Sequence, residues 1–466
     1  MPATLPMGKR ANKSYNGAWS GFVYAAGTIA LLLMLSLVQP VEVFGLKLPR
    51  VNPYPDVVEY DDSALPEDFE PLPVQEVVAE ADTTVQVTFG DIDSCRTVRV
   101  AFLGDSFIEG DIFTGNLREH LQADFGGEGV GFVPCQLPFR IYRKNVSVSG
   151  SGWTNYGILK AKKAPEKVRS RFLSSGYLSV GGAGAVMKWK QNSGCQHCIG
   201  RVFFISPGDS RVRLKAGELA YTCEVGGSDR LRQAVAQSCD GTLEFEVLSG
   251  EVIVYGASFE STHGVIVDNL SVRSNNGSAV FNASAQLNRQ FAEMAGYDIV
   301  VLQYGLNIMQ PDKKNYSKYQ KQVEDMIAYA GKIFPDSRIV VMGVSDRGIL
   351  RDGDTVYSSI NSAEALTKHQ KAAAQNKEAL FWDTYAEMNA LGGLPVFAER
   401  GWVASDQTHF TYGGGAVLAT RMLPFMSSLV LEAGRPVMEP LEAVDSIPST
   451  KAELQHAHDS LAAIPQ

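Results

Sequence analysis

Three short apolar runs, rich in β-branched residues, constrain the fold of this chain more than any other feature. They lie at residues 98–103 (VRVAFL), 299–302 (IVVL) and 339–342 (IVVM). Short runs with so little polar alternation are typical of strands that are buried on both faces of a parallel sheet. Because parallel strands need long crossover connections, usually helices, the runs also predict helices between them.

Helical patterns accompany two of these runs. After the first run, apolar residues recur at three- and four-residue spacing across residues 112–125 and stop at Gly126 and Gly127, as in an amphipathic helix that ends at a glycine cap. A similar stripe covers residues 316–333, ahead of the third run. This alternation predicts a doubly wound α/β sheet, in which catalytic groups collect at the carboxyl ends of the strands.

Residues 138–262 break this rhythm. Short alternating segments separated by Gly, Ser and Asp fill the region, for example at residues 201–205, 211–214, 243–247 and 252–255. Period-two alternation predicts strands with one buried face, and several such strands in succession predict a β-sandwich. Since the α/β signals resume afterwards, we expect a β-sandwich inserted into one α/β domain, whose two parts are residues 84–137 and 263–432.

The N-terminal region contains a candidate membrane anchor. No residue from Ser14 to Val41 is charged, and this length can cross a bilayer as a helix. Lys9, Arg10 and Lys13 directly precede the segment, so the positive-inside rule places residues 1–13 in the cytoplasm and exports the rest. We expect an uncleaved single-pass anchor at residues 14–41. A cleaved signal peptide is the alternative, but no small-x-small cleavage site follows.

Two polar segments flank the region expected to fold. Proline and acidic residues dominate residues 42–83, which predicts an extended linker without a packed core, and residues 433–466 form a polar C-terminal tail. The formal net charge is −9, and basic residues do not cluster into a patch. Nucleic-acid partners, which require clustered Lys and Arg, are therefore not expected.

The six cysteines are Cys95, Cys135, Cys195, Cys198, Cys223 and Cys239. Export would allow them to form disulfides, and six cysteines permit 15 full pairings between which the sequence cannot choose. A zinc site built on the Cys-x-x-Cys pair at 195–198, with His197 between, is the weaker alternative, because no second Cys-x-x-Cys follows. We expect structural disulfides or free thiols, and no metal.

A Gly-Asp-Ser sequence at residues 104–106 directly follows the first apolar run. It places Ser106 at a strand end and beside a helix N-terminus, whose free amides favour a developing oxyanion. Alone, this tripeptide would more often be a turn with a capping serine. A Gly-Leu-Asn sequence at residues 305–307 follows the second run, and it places Asn307 at the same sheet edge as a candidate oxyanion donor.

Near the C-terminus, Asp406 and His409 are three residues apart. At that spacing a carboxylate can orient an imidazole whose other nitrogen takes the hydroxyl proton of Ser106. Either residue alone would more often be a solvated loop carboxylate or a core histidine. Together with the strand-end motifs, the pair predicts Ser106 as nucleophile, His409 as general base and Asp406 as the residue that orients it.

The three motifs resemble named blocks of the SGNH/GDSL hydrolase superfamily. A closer resemblance, to bacterial peptidoglycan O-acetylesterase-like proteins, covers residues 98–137 and 264–423. It is carried by FGGEGVGF at 125–132, FWD at 381–383 and DQTHFT at 406–411. Members of that group also have a β-sandwich between their first and second blocks. The resemblance implies a three-layer, flavodoxin-like SGNH hydrolase fold with a parallel sheet and an inserted β-sandwich.

The remaining block of that family supplies a glycine to the oxyanion hole, and Gly277 is its best match here. A second glycine-rich stretch at residues 181–184 lies inside the expected insertion and is a weaker candidate. The implied oxyanion hole consists of the amides of Ser106 and Gly277 with the side chain of Asn307. Two departures from the family pattern, Phe107 and Ile308, concern the shape of this pocket and remove no catalytic group.

The resemblance implies a serine esterase that removes acyl groups, above all O-acetyl groups, from a cell-envelope carbohydrate such as peptidoglycan, with no metal or cofactor. The partners would be this acylated glycan and the inner membrane, with the catalytic domain in the periplasm. An O-acetyltransferase with the same triad and a non-catalytic envelope-binding module are the alternatives. The β-rich region would orient substrate, and the candidates for sugar stacking, each of which could instead be core, are Trp153, Trp189, Tyr177 and Tyr221.

Overall fold

The computed structural model describes residues 41–43, 46–48, 87–89, 97–138, 143–192, 198–351 and 357–434. The chain divides into two units, residues 1–61 and 62–466. Within the first unit, two short strands at residues 41–43 and 46–48 pair antiparallel. The expected anchor at residues 14–41, apart from its last residue, and the tail beyond residue 434 lie outside the described residues, as does most of the expected linker.

The described part of the chain contains 19 strands. They are β1 (Val41–Val43), β2 (Leu46–Leu48), β3 (Val87–Phe89), β4 (Thr97–Gly104), β5 (Gly131–Pro134), β6 (Val146–Gly157), β7 (Tyr177–Gln191), β8 (Cys198–Ser206), β9 (Ser210–Ala216), β10 (Leu219–Val225), β11 (Ser228–Cys239), β12 (Thr242–Ser249), β13 (Glu251–Glu260), β14 (Gly264–Asn269), β15 (Ile299–Gln303), β16 (Arg338–Met342), β17 (Gly348–Ile349), β18 (Ser358–Ser359) and β19 (Leu380–Trp382).

Nine α-helices lie in the same described ranges. They are α1 (Ser106–Glu109), α2 (Ile112–Phe125), α3 (Glu166–Arg169), α4 (Ala285–Ala295), α5 (Ser317–Ile333), α6 (Ala363–Asn376), α7 (Thr384–Ala390), α8 (Gly393–Glu399) and α9 (Tyr412–Ala433). Short 3-10 helices span Ile158–Lys163, Ser278–Asn282 and Leu306–Ile308.

A five-stranded parallel sheet has the order β14-β4-β15-β16-β19. The three apolar runs are β4, β15 and β16, which lie side by side, so the α/β prediction is confirmed. Numbered along the chain, the order is 2-1-3-4-5, the flavodoxin-like arrangement. The chain passes from β4 to β14 in one direction across the sheet, and from there past β4 to β15, β16 and β19 in the other. Because such crossovers are right-handed, α2 lies on one face of the sheet and α4, α5 and α6 lie on the other.

A second, ten-stranded sheet has the order β10-β9-β12-β7-β13-β8-β11-β3, with β5 paired to β13 and β6 to β7. The alternation within residues 138–262 therefore does form strands. Two strands that we expected to belong to the α/β part pair here instead, since β5 is antiparallel to β13 and β3 is parallel to β11. The ten strands of this sheet form one hydrogen-bonded network. Its division into the two layers of a sandwich remains a prediction.

The side chain of Arg99, on β4, joins the two sheets through buried ion pairs. Its guanidinium lies 2.6 Å from the Glu260 carboxylate on β13 and 2.8 Å from that of Asp268 on β14, and all three side chains are at most 2% exposed. Asp268 also accepts hydrogen bonds from the Tyr297 hydroxyl and the Phe132 amide, each at 2.7 Å. Burial alone would lower the pKa of Arg99, but the charges of Asp268 and Glu260 raise it above its ordinary value.

Helix α9 is, among the described residues, the one helix long and apolar enough to cross a membrane by length and composition. It packs against α2 in the α/β unit. Leu418, Met422 and Met426, on its inward face, are fully buried. In this structure its apolar surface therefore covers the α/β core.

We predict that Arg99→Met destabilises the protein by about 3–5 kcal/mol, because it leaves the carboxylates of Asp268 and Glu260 buried without their shared cation. Urea unfolding curves measure this change. The matched control is Arg211→Met, since Arg211 and its partner Glu224 are 54% and 79% exposed, and exposed pairs contribute only about 0–1 kcal/mol. Equal losses from the two variants would contradict the role assigned to Arg99.

Candidate active site

Ser106 is the first residue of α1, directly beyond the end of β4. The Asp105 side chain caps this helix, since its Oδ1 accepts from the Phe107 amide at 2.9 Å. The strand turns so closely beside β15 that a Cβ on Gly104 would lie 2.9 Å from the Gln303 carbonyl oxygen. This tight strand-to-helix turn places the Ser106 side chain at the carboxyl edge of the parallel sheet, where catalytic groups of such folds collect.

The loop between α8 and α9 brings His409 to Ser106. His409 Nε2 lies 3.0 Å from Ser106 Oγ. The other ring nitrogen, Nδ1, lies 2.7 Å from Asp406 Oδ2. Gln407, between the two loop residues, has a left-handed φ of 48°, which folds the chain back within one turn. The structure thus joins the three residues in one hydrogen-bonded chain, the arrangement of a Ser-His-Asp relay.

The second carboxylate oxygen of Asp406 accepts hydrogen bonds from backbone amides of the loop that carries it. Its Oδ1 accepts from the amides of Thr408 and His409 at 3.0 and 3.1 Å. Burial alone would raise the pKa of Asp406, but the hydrogen bond and charge of His409, with these two amides, lower it below its ordinary value. The carboxylate therefore remains ionised and favours the tautomer in which Nδ1 of His409 carries a proton and Nε2 can accept one.

Phe107 packs the segment that carries Ser106 against the segment that carries His409. Its ring meets that of Phe410 edge to face, with centroids 4.9 Å apart, and these residues directly follow Ser106 and His409. Such aromatic pairs stabilise by about 0.5–1.5 kcal/mol beyond the area they bury. The departure from the family pattern at residue 107 therefore has a packing role, and Ile308, the other departure, is 3% exposed.

Asn307 lies at the same edge, in the turn after β15. Its Nδ2 donates to Asp105 Oδ2 at 3.2 Å and to the Asn275 carbonyl oxygen at 3.0 Å. Both amide hydrogens are therefore engaged in this conformation. The bond to Asp105 holds Asn307 next to the residue that precedes Ser106. A side chain that donates to an oxyanion formed at Ser106 must lie in this position.

The amide of Gly277, which we expect to contribute to the oxyanion hole, already has a hydrogen-bond partner in this conformation. Its N–H donates to Asn275 Oδ1 at 2.9 Å, so in this conformation the amide is engaged away from Ser106. Its φ is 95°, and a Cβ would lie 2.2 Å from Met326 Sδ, which explains why glycine occupies the position. The glycines at 181 and 182 lie within β7. Asn275, which the sequence did not single out, links this loop to Asn307.

Asp105 is an ionisable group beside Ser106 to which the sequence analysis gave no role of its own. It is fully buried, and burial raises its pKa to about 7, against the opposing effects of the Phe107 amide, the His409 charge, the Leu306 amide and the Asn307 side chain. Within the Gly-Asp-Ser motif, the aspartate therefore titrates near neutrality while it holds both the nucleophile turn and Asn307.

The state of the described cysteines bears on the zinc alternative. Cys198 is disulfide-bonded, so its sulfur cannot act as the thiolate that zinc requires. Cys135, Cys223 and Cys239 are free thiols. No group of three or more potential metal-ligating side chains occurs among the described residues.

We predict that Asp105→Asn changes the pH dependence of stability. The native pKa of about 7 exceeds the ordinary 3.8, so the stability contributed by this carboxyl is complete below about pH 4 and is lost as the pH rises through about 7. The melting temperature of the variant relative to the wild type should therefore rise from about pH 5 to about pH 8. Asp124→Asn, which removes an exposed carboxylate, is the control. A pH-independent difference for Asp105→Asn would contradict the prediction.

Comparison with known proteins supports the fold. No family model and no curated protein sequence matches the chain. Among solved structures, a peptidoglycan O-acetylesterase matches with a TM-score of 0.59 and 19% identity, over 72% of this chain and 92% of that chain.

Two further matches have low TM-scores. A family two carbohydrate esterase from Cellvibrio japonicus is 8% identical over 61% of this chain and 98% of that chain, with a TM-score of 0.25. The acetyl xylan esterase AlAXEase is 15% identical over 35% and 81%, with a TM-score of 0.26. The first match shows that this chain shares the fold of a peptidoglycan O-acetylesterase.

Proposed function

We propose that the protein is a serine esterase that removes O-acetyl groups from a cell-envelope carbohydrate such as peptidoglycan. The observation that carries this proposal is the hydrogen-bonded chain from Ser106 Oγ through His409 to Asp406. The shared fold with a peptidoglycan O-acetylesterase supports the substrate class.

In the first half of the reaction, His409 Nε2 takes the hydroxyl proton of Ser106 while Oγ attacks the ester carbonyl carbon. The imidazolium that forms faces the ionised Asp406, which stabilises its charge. His409 then returns the proton to the sugar oxygen as the ester bond breaks, and the acyl group stays on Ser106. In the second half, His409 deprotonates a water molecule that attacks the acyl-enzyme, and it then returns this proton to Ser106 Oγ as the Oγ–acyl bond breaks and acetate leaves.

The negative charge on the tetrahedral oxygen requires donors at the start of α1. The amide of Ser106 is one of them, and Asn307 Nδ2 is the second. One N–H of the Asn307 side chain donates to Asp105 and the other donates to the Asn275 carbonyl oxygen. The second N–H is the one that would turn to the oxyanion. Gly277 would contribute only after its amide leaves Asn275 Oδ1. Each such donor stabilises the transition state by about 3 kcal/mol.

The proposed site of action is the periplasmic side of the inner membrane. The charge-free segment at residues 14–41, preceded by basic residues, supports an N-terminal anchor with a cytoplasmic end. The acylated glycan would then be the partner that the anchored domain meets outside the cytoplasm.

The first test is acetate release from O-acetylated peptidoglycan by the full chain in detergent. We expect Ser106→Ala to lower kcat/KM about 10⁶-fold, because it removes the nucleophile. The control is Ser317→Ala at an exposed serine, which should match the wild type. No acetate release by the wild type, with Ser106 still labelled by a fluorophosphonate, would reject the substrate or indicate acyl transfer to a sugar hydroxyl instead.

A second test separates the roles of Asp406 and His409. We predict that His409→Ala lowers kcat about 10⁶-fold, whereas Asp406→Asn lowers it only about 10⁴-fold, because the asparagine variant keeps the base but loses its ionised partner. Melting temperatures show whether both variants are folded. Equal losses of kcat in two folded variants would give Asp406 another essential role.

A further inference from the structure

A cavity of about 420 Å³ lies in the β-rich region, outside the Ser106 site. Residues 135–138, just after β5, residues of β6 and Met187 of β7 line it. No side chain among these described lining residues is charged, and they include Gln136, Ser151, Trp153 and Asn155. An uncharged cavity with one large aromatic ring and several amides and hydroxyls suits a neutral polar ligand.

The local backbone gives Trp153 a defined place in this cavity. Strand β6 has a bulge between Ser151 and Trp153 in its pairing with β7. Gly152, inside the bulge, has a φ of 81°. Bulges of this kind change the direction of a side chain and recur beside binding sites. On the partner strand, Gly181 pairs with Trp153, and a Cβ there would lie 2.5 Å from the indole ring. Glycine at residue 181 therefore makes room for the ring.

Trp153 also has an unused hydrogen-bond donor. Its Nε1 is buried and has no hydrogen-bond partner among the described residues. Buried donors are nearly always paired, so an acceptor from a ligand would complete this one. Nearby, Asn155 Oδ1 accepts from the Ser179 hydroxyl at 2.7 Å, which orients the Asn155 amide. The cavity thus combines an aromatic ring with fixed polar groups.

The other aromatic candidates for sugar stacking are engaged elsewhere. Trp189 is fully buried, and its Nε1 donates to the Pro134 carbonyl oxygen at 3.2 Å. Tyr177 is 8% exposed and donates its hydroxyl to Glu109 at 3.0 Å. Tyr221 is partly exposed on β10 and does not line the cavity. Trp153 is therefore the member of this group in a position to contact a ligand in the cavity.

We propose that this cavity, called the Trp153 cleft, binds one ring of a neutral carbohydrate chain. A ring bound there would position the rest of the chain at Ser106. Trp153 and Tyr177 lie four pairs apart in the β6–β7 register, about 13 Å at the usual rise of a strand. Tyr177 contacts Glu109 in α1, the helix that begins with Ser106. An oligosaccharide can span this distance. The inference rests on the proposed function in one respect, that the bound chain is the substrate of Ser106.

The test is titration calorimetry of the full chain in detergent with tetra-N-acetylchitotetraose, which carries no ester, and with tetragalacturonate as a charged comparator. We expect the neutral tetramer to bind and Trp153→Ala to weaken its Kd at least about tenfold. Since Trp153→Ala removes a partly buried ring, Ser151→Arg is the second variant: Ser151 is exposed, and the arginine obstructs the cleft without loss of core. Tyr221→Ala is the matched control and should keep the wild-type Kd within about twofold.

An unchanged Kd in both cleft variants, no binding of the neutral tetramer by the wild type, or tighter binding of tetragalacturonate would each overturn the proposal. Hydrolysis of p-nitrophenyl acetate by the wild type and by Ser106→Ala tests the esterase chemistry separately. If the ester is not cleaved but binding depends on Trp153, the proposed function fails and the carbohydrate cleft stands. If the ester is cleaved but the tetramer does not bind, the cleft alone is rejected.

Discussion

The buried charge of Arg99 is the constraint on which the rest of the structure depends. A guanidinium inside a protein requires partners that satisfy its charge and its donors together. Here they come from β13 and β14, and the backbone amide of Arg99 donates to Asp298 just before β15. Strand β4 is thereby held in register with both of its neighbours and with the second sheet. Because β14 leads into the loop that carries Asn275 and Gly277, this network also determines where the oxyanion side of the site begins.

Near Ser106, two aspartates of the same intrinsic acidity are shifted in opposite directions. Burial dominates at Asp105, whose partners are mostly neutral, and its pKa rises to about 7. At Asp406, the imidazole and two amides outweigh burial, and the pKa falls. Two carboxylates with separated pKa values can take different roles. Asp406 remains an anion beside His409, whereas Asp105 accepts a hydrogen bond from the turn at Ser106 and can be neutral or charged near pH 7.

The sequence predicted the parts that depend on local pattern. The three apolar runs became neighbouring strands because residues buried on both sides must be apolar, and the strand-end motifs met because parallel strands share one carboxyl edge. Arg99 escaped attention because its partners lie more than 150 residues away. The Asx turn by which Asn275, two residues earlier, accepts from the Gly277 amide was not expected, because the motif comparison concerned the glycine and not the residue before the motif. Pairing of β5 with the second sheet is likewise a long-range property that no local pattern encodes.

The contact between Ser106 and His409 spans 303 positions of the chain, with the whole ten-stranded sheet, apart from β3, encoded between them. A loop this long closes late, since non-local contacts form only after the intervening segments have ordered. During synthesis from the N-terminus, the turn that carries Ser106 emerges long before the loop that carries His409. Ser106 therefore lacks its imidazole partner until α9 docks on α2 and brings the Asp406–His409 loop into place. Until that docking, a half-folded chain has no Ser106–His409 hydrogen bond, so any reaction at this serine that needs the imidazole must wait for the complete fold.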